Sequence, residues 1–142
     1  MSLTDSSGLI LAARVGKYTD ELIDELVVSS EGKTACKRWN SDDWGGYKRV
    51  LPPEILHHIG KDKTQCLERT NGIVRQQTGR WYRRQNKFGK VWEQTTVTTR
   101  IVVTYFNWIW QHSRLKTTAT QRAGLTLQPW TWHDLITYRT II

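Results

Sequence analysis

Four polar residues carry the chemistry this chain could do: Asp42, then Glu68, Asn71 and Arg75 further along. Asp42 stands just past a run, residues 34–40, that reads as a short strand, and just before Gly45 and Gly46. Glu68 falls within residues 62–77, where apolar positions recur at helical spacing. A carboxylate at the carboxyl end of an α/β strand and another on the polar face of a following helix can converge at the sheet edge. Hard divalent cations such as Mg²⁺ take carboxylate oxygens, and two such ions held by shared carboxylates can stabilise both the attacking and the leaving oxygen of a phosphodiester reaction. Asp42 and Glu68 are therefore the candidate catalytic acids and metal ligands. Arg75 follows Glu68 by seven residues, so on a helix the two point almost the same way. It can pair with a phosphate or hold the carboxylate, and Asn71 can do similar orienting work. Spacing alone also allows Glu68 and Arg75 to be ordinary polar groups on the outer face of an amphipathic helix.

The elements that must position these groups follow from periodicity and punctuation. Residues 1–8 read as a polar, frayed lead and residues 9–15 as a largely buried strand. Thr19 is a plausible N-cap, Asp20 and Glu21 suit the positive end of a helix, and Leu22, Ile23, Leu26 and Val27 form its apolar stripe, up to a stop near residues 29–32. Strand, helix, strand in that order predicts a parallel crossover. After Pro52 and Pro53, residues 55–59 read as another short strand and thus a further αβ step. In the helix over 62–77, Asp62 can cap and Gln65 reciprocate. Cys66, Thr70, Ile73 and Val74 gather on one side, with Glu68, Asn71, Gly72 and Arg75 on the other. Residues 92–110 predict a helix in which Val97, Ile101, Tyr105 and Ile109 recur every four, flanked by Val102 and Phe106. Residues 117–142 read as a segment that docks on the core, chiefly through Trp130, Trp132, Leu135 and Ile136. The fold class is α/β, in one domain spanning 1–142.

Charge points to a polyanionic partner. The 142 residues carry 21 Lys and Arg against 13 Asp and Glu, a net +8. The first 60 residues hold 7 basic and 9 acidic groups, whereas residues 61–142 hold 14 basic and 4 acidic. A groove that tracks a phosphate backbone could draw its charge from one segment in this way. Within it, residues 79–90 form a basic, aromatic connector whose Arg80, Trp81, Arg83, Arg84 and Lys87 are the candidate DNA contacts. A solvated basic surface without a ligand is the competing reading. Cys36 and Cys66 lack partners at zinc-ligand spacing and read as free thiols in a reducing cytoplasm. No apolar run is long enough to suggest a membrane span.

Read as words, residues 41–47, Ser-Asp-Asp-Trp-Gly-Gly-Tyr, and residues 66–71, Cys-Leu-Glu-Arg-Thr-Asn, followed by Arg75 and Gln76, form a pattern that resembles the insertion sequence 1 family of bacterial transposases. The basic connector and residues 123–126, Ala-Gly-Leu-Thr, leading into Trp130 and Trp132, resemble that family's C-terminal part. The resemblance implies an RNase H-like (DDE transposase/integrase) fold with C-terminal helices. It also implies a DDE triad that binds Mg²⁺ or Mn²⁺, breaks the transposon end and joins the freed 3′ hydroxyl to target DNA. Asp42 and Glu68 would then be the second catalytic aspartate and the glutamate, with Arg75 as basic companion. Asp43 is the weaker candidate, because its family position varies.

In that fold the first aspartate sits on the first strand of a three-strand meander. Equating residues 9–15 with the third strand leaves no room for the first two, so the resemblance implies an N-terminally truncated catalytic domain with an incomplete two-metal site. Asp5 is the one acid upstream of that strand. A downstream reading frame or a truncated remnant is implied, a poor catalyst by itself. Its partners would be transposon ends and target DNA, an upstream-frame product, and, at full length, further copies of the chain, in the cytoplasm at the nucleoid. A non-catalytic basic DNA-binding protein is the alternative, and a related nuclease or resolvase a third possibility. His57 and His58 are adjacent and on a strand would face opposite sides, so a joint ligand role is not expected. His112 and His133 have no partner in the pattern.

Overall fold

The computed structural model describes residues 1–35, 37–60, 65–78 and 91–139. The expected Asp62 cap and the connector over 79–90 lie outside them. The chain opens with an antiparallel hairpin, β1 (Ser2–Thr4) and β2 (Ile10–Ala13), followed by helix α1 (Asp20–Ser30). Strand β3 (Arg38–Ser41) then passes through a short helix, α2 (Gly46–Val50), into β4 (Leu56–Ile59), which lies parallel to β3. Helices α3 (Gln65–Thr78) and α4 (Trp92–Trp108) and two short helices, α5 (Ala119–Arg122) and α6 (Trp132–Thr137), complete it.

The α/β class holds, but the crossover falls elsewhere than expected. The hairpin and the β3–β4 pair are separate two-stranded sheets, so β2, α1 and β3 do not form a hydrogen-bonded parallel unit; β3, α2 and β4 do. The lead is also not frayed. Ser2–Thr4 pairs with β2, and the Met1 ammonium donates to the Arg14 carbonyl at 2.7 Å. The turn between the strands consumes Asp5, whose Oδ1 accepts from the Ser7 and Leu9 amides and the Ser7 hydroxyl at 2.9, 3.0 and 2.6 Å. A carboxylate so engaged fixes a turn, with Gly8 at φ +84° where a side chain would be strained.

Helix α1 forms as its sequence dictates. The Thr19 hydroxyl accepts from the Leu22 amide, and Leu22, Ile23 and Leu26 are buried. The helix packs on both strands of the hairpin and on α2, so it joins the two sheets. At the α1–α2 contact Gly46 is required, because a methyl there would come within 2.7 Å of the Trp44 ring and 3.0 Å of Ile23. The Arg49 guanidinium clamps the Asp20 carboxylate with two hydrogen bonds of 2.8 and 2.7 Å.

The second core lies between β2, α3 and α4, where Ile10, Val74 and Phe106 are buried together with Ala13, Ile73, Val102, Val103 and Trp110 against them. The expected stripe on α4 is rotated. Val97 and Ile101 are half exposed; Phe106 is buried and Val102 packs on the core as expected, and Thr99 and Asn107 face inward beside them. The reason is a polar one. The buried Asn107 amide accepts from the Ile10 N–H and donates to the Ile10 carbonyl, both at 2.9 Å, which satisfies the groups that Ile10 turns away from its β1 partner Thr4. Turning α4 to seat Val97 and Ile101 would orphan these groups.

The C-terminal segment docks, though not chiefly through its aromatics. Thr118, Ala119 and Thr120 are fully buried, the Thr120 hydroxyl donates to the Asn107 carbonyl, and Arg122 donates to the Ser7 carbonyl at 2.7 Å. Trp130 packs on Trp108 with ring centroids 4.4 Å apart, and Trp132 stacks on Tyr105, yet Trp132 and Ile136 remain more than half exposed. Trp92, at the start of α4, is also mostly exposed. Replacing Asn107 by Ala should cost about 2–5 kcal/mol, because two buried backbone groups lose their partner. Urea unfolding of the variant checks this, and a loss below about 1 kcal/mol would contradict the role given to Asn107.

Candidate functional site

Asp42 leaves the carboxyl end of β3 exposed to solvent, and its backbone is pinned from beneath. The Ser41 hydroxyl donates to the Asp42 carbonyl at 2.8 Å, so its oxygen is left to accept from His57 Nε2–H at 2.6 Å. This assigns the proton of His57 to Nε2. Parallel pairing makes the contact possible, since the register sets Trp39 opposite His57 and Ser41 opposite Ile59. The Ser41 carbonyl also accepts from the Gly60 amide at 3.1 Å, closing the strand end.

Over this end runs an aromatic row. Tyr18, Trp44, Tyr47 and His57 follow one another at centroid separations of 5.5, 5.6 and 5.9 Å, the first two contacts edge to face. The Tyr47 hydroxyl is pushed up to about 12, first by burial and then by the Asp42 charge. Tyr47 thus stays protonated and lies within the field of the Asp42 carboxylate. His57 is held below its ordinary value, first by burial and then by Lys48 and His58. The sequence named His57 only to discount it as a metal ligand; its partnership with Ser41 depends on strand register, which no local pattern carries.

Glu68, Asn71 and Arg75 occupy one side of α3 as the spacing predicts. Glu68 and Arg75 are exposed and Asn71 half-buried, while Thr70 and Val74 are buried and Ile73 packs on the core. This side borders β1. The Ser2 hydroxyl donates to Asn71 Oδ1 at 3.2 Å, and the Met1 ammonium is held below its usual value by burial and by the charge of Arg75. Asp42 therefore belongs to the β3–β4 pair, and the Glu68 side of α3 borders the hairpin. Among the described residues, no three His, Cys, Asp or Glu side chains gather within metal-binding range. Asp43 is exposed beside Asp42, and Asp5 is spent in its turn. Arg80, Trp81, Arg83, Arg84 and Lys87 lie outside the described residues.

Because the folded value of His57 lies below the unfolded one of about 6.5, its contribution to stability is present above that pH and is lost as pH falls through the depressed value. The urea midpoint should therefore drop less between pH 7.5 and pH 5 in His57→Gln than in the parent. Equal drops would deny His57 this part.

No described helix is long and apolar enough to cross a membrane. No curated protein and no solved structure gives a significant match. A family model does: that of the IS1 transposase matches residues 3–111, from the hairpin through α4, so that Asp42, Glu68, Asn71 and Arg75 all fall inside it and the residues 123–132 singled out above fall beyond it. The match spans more than three quarters of the chain, which belongs to the IS1 transposase family.

Proposed function

We propose that the chain is catalytic machinery of an RNase H-like DDE transposase, which cleaves the ends of an insertion sequence and joins the freed 3′ hydroxyl to target DNA. Asp42 and Glu68 are its metal-binding acids. The observation that carries this reading is the position of Asp42, exposed one residue past a parallel strand in a chain of a transposase family. In open α/β sheets, ligands collect outside the carboxyl ends of the strands. Exposed carboxylates are the hard oxygen donors that Mg²⁺ or Mn²⁺ prefers, so the residues present fit such an ion. Bound there, it would supply charge stabilisation to the phosphodiester oxygens.

The chain's own residues do the rest. His57 and Ser41 hold the Asp42 backbone, and Tyr47 covers the site as a neutral donor. Arg75 offers its guanidinium to a DNA phosphate, and Asn71, tethered by Ser2, orients that end of α3. Arg80, Trp81, Arg83, Arg84 and Lys87 track the DNA backbone. An upstream-frame product is the partner that brings the third carboxylate. The two strand pairs are separate sheets among the described residues, which supports this by leaving strand edges for a further strand to pair with. Full-length chains work as homo-oligomers on DNA at the nucleoid.

A second reading, a non-catalytic DNA-binding protein, draws on the +10 balance of residues 61–142. Metal separates the two. Isothermal titration with Mn²⁺ should show saturable binding by the parent that Asp42→Asn combined with Glu68→Gln abolishes; undiminished binding by the double variant sinks the catalytic reading. Both readings require DNA affinity to fall at least about tenfold between 50 and 200 mM salt, with little sequence preference. Binding that ignores salt removes the basic groove from either.

A further inference from the structure

A groove of about 460 Å³ opens along β2, on the side away from β1. Residues 11–15 line its floor. One wall is α4, through Thr99, Arg100 and Val103, and the other is Glu25 of α1 with Lys33 just past the helix. Antiparallel alternation decides which groups face it. Met1 and Arg14 exchange both backbone hydrogen bonds, at 2.7 and 2.8 Å, so Ala12 pairs toward Leu3 and Ala13 between them turns its N–H and C=O outward; the register shift between Leu3 and Thr4 makes Leu11 the extra residue of a bulge, and its C=O also faces the groove. Long cationic side chains attend these carbonyls. Lys33 donates to the Leu11 carbonyl and the Arg14 guanidinium to that of Ala13, each at 3.1 Å. At the inner end the Asn107 amide stands where a third strand would, bonded to Ile10 on both sides. Among the described residues no strand pairs with this edge.

We propose that the outer edge of β2 docks an extended acidic segment of a partner protein, which adds as a strand along residues 11–13 and sets its carboxylates against Arg14, Lys33 and Arg100. Two features select this occupant over nucleic acid. This edge offers the Ala13 N–H as a donor beside the Leu11 and Ala13 carbonyls as acceptors, which a second backbone meets on both counts. A phosphate only accepts, and here it would face the Leu11 and Ala13 carbonyl oxygens. The groove also holds three cations against the single carboxylate of Glu25, which lies 3.8 Å from Arg14, so a complementary partner brings negative side chains. Until it arrives, Lys33 and Arg14 occupy the edge carbonyls, which keeps the edge from pairing with itself. On docking they exchange those carbonyls for carboxylates.

Fluorescence anisotropy with a labelled hexapeptide of alternating valine and glutamate, added to the full chain, tests this. The comparators are the same peptide with lysine for glutamate and an unlabelled short DNA duplex as competitor. Saturable binding of the glutamate peptide is expected, at least about tenfold tighter than the lysine peptide. Arg100→Glu should weaken it about tenfold, and Ala13→Pro should abolish it by removing an outward N–H while leaving the β1 ladder intact. Should Ala13→Pro not fold, as circular dichroism would tell, the exposed Arg100→Glu still decides. No saturable binding, equal binding of the two peptides, or indifference to Arg100→Glu overturns the proposal. Displacement of the glutamate peptide by the duplex with loss of that competition in Arg100→Glu would assign the groove to nucleic acid instead.

Discussion

The amide of Asn107 closes a ring of two hydrogen bonds with the backbone of Ile10, and most of the architecture is arranged around that contact. A backbone N–H and C=O buried without partners cost about 2–6 kcal/mol together, against roughly 1.5–3 kcal/mol for burying the half of Val97 and of Ile101 that is now exposed. Helix α4 is therefore oriented by a polar residue rather than by its longest apolar stripe. Phe106 is carried into the core by the same rotation, Val74 of α3 packs beside it, and the opposite side of α3, with Glu68 and Arg75, is turned to solvent. The Asn107 carbonyl in turn receives Thr120, which brings the C-terminal segment down onto the hairpin, where Arg122 reaches Ser7. Asn107 thus ties β2 to α4 through its side chain and the C-terminal segment to α4 through its carbonyl, and α3 packs by Val74 against the core so formed.

The other half of the site answers to a different constraint. Asp42 stands at the end of a strand only four residues long, whose partner β4 is equally short. So brief a pair needs side chains to hold its end, and the chain from His57 through Ser41 to the Asp42 carbonyl does that. Tyr47, crowded by the aromatic row and by the Asp42 charge, is kept from ionising and so adds no second negative charge there. The acids of the proposed site therefore rest on separate supports, one on the parallel pair and one on the Asn107-centred core. Helix α1, packed on the hairpin and on α2, is the element common to both.

How much of this the sequence displayed depended on the range of the interactions. Local rules located α1 from Thr19 and its stripe, the two sides of α3 from residues 68, 70, 74 and 75, and the strands beginning near residues 9 and 55. The strand before Asp42 was displaced by a few residues, to Arg38–Ser41, because its limits are set by pairing with β4 rather than by its own composition. What failed was long-range. Ser2–Thr4 looks like a polar tail until Ala12 and Ala13 supply its partner, and Asp5 looks like a spare acid until its turn engages it. Val97 and Ile101 form a better apolar stripe than Thr99 and Asn107 by hydropathy, and hydropathy does not register an unpaired backbone 97 residues away. The words around Asp42 and Glu68 were legible because they recur in the family, not because their spacing demanded a site.

In the proposed reaction Asp42 and Glu68 serve one metal-dependent step although each is held by a different part of the fold. Crystals of the chain soaked in Mn²⁺, with data collected at the manganese absorption edge, test it most directly. An anomalous peak is expected within about 2.3 Å of a carboxylate oxygen of both Asp42 and Glu68. A peak bound to neither acid, or to one with the other carboxylate turned elsewhere, would contradict it.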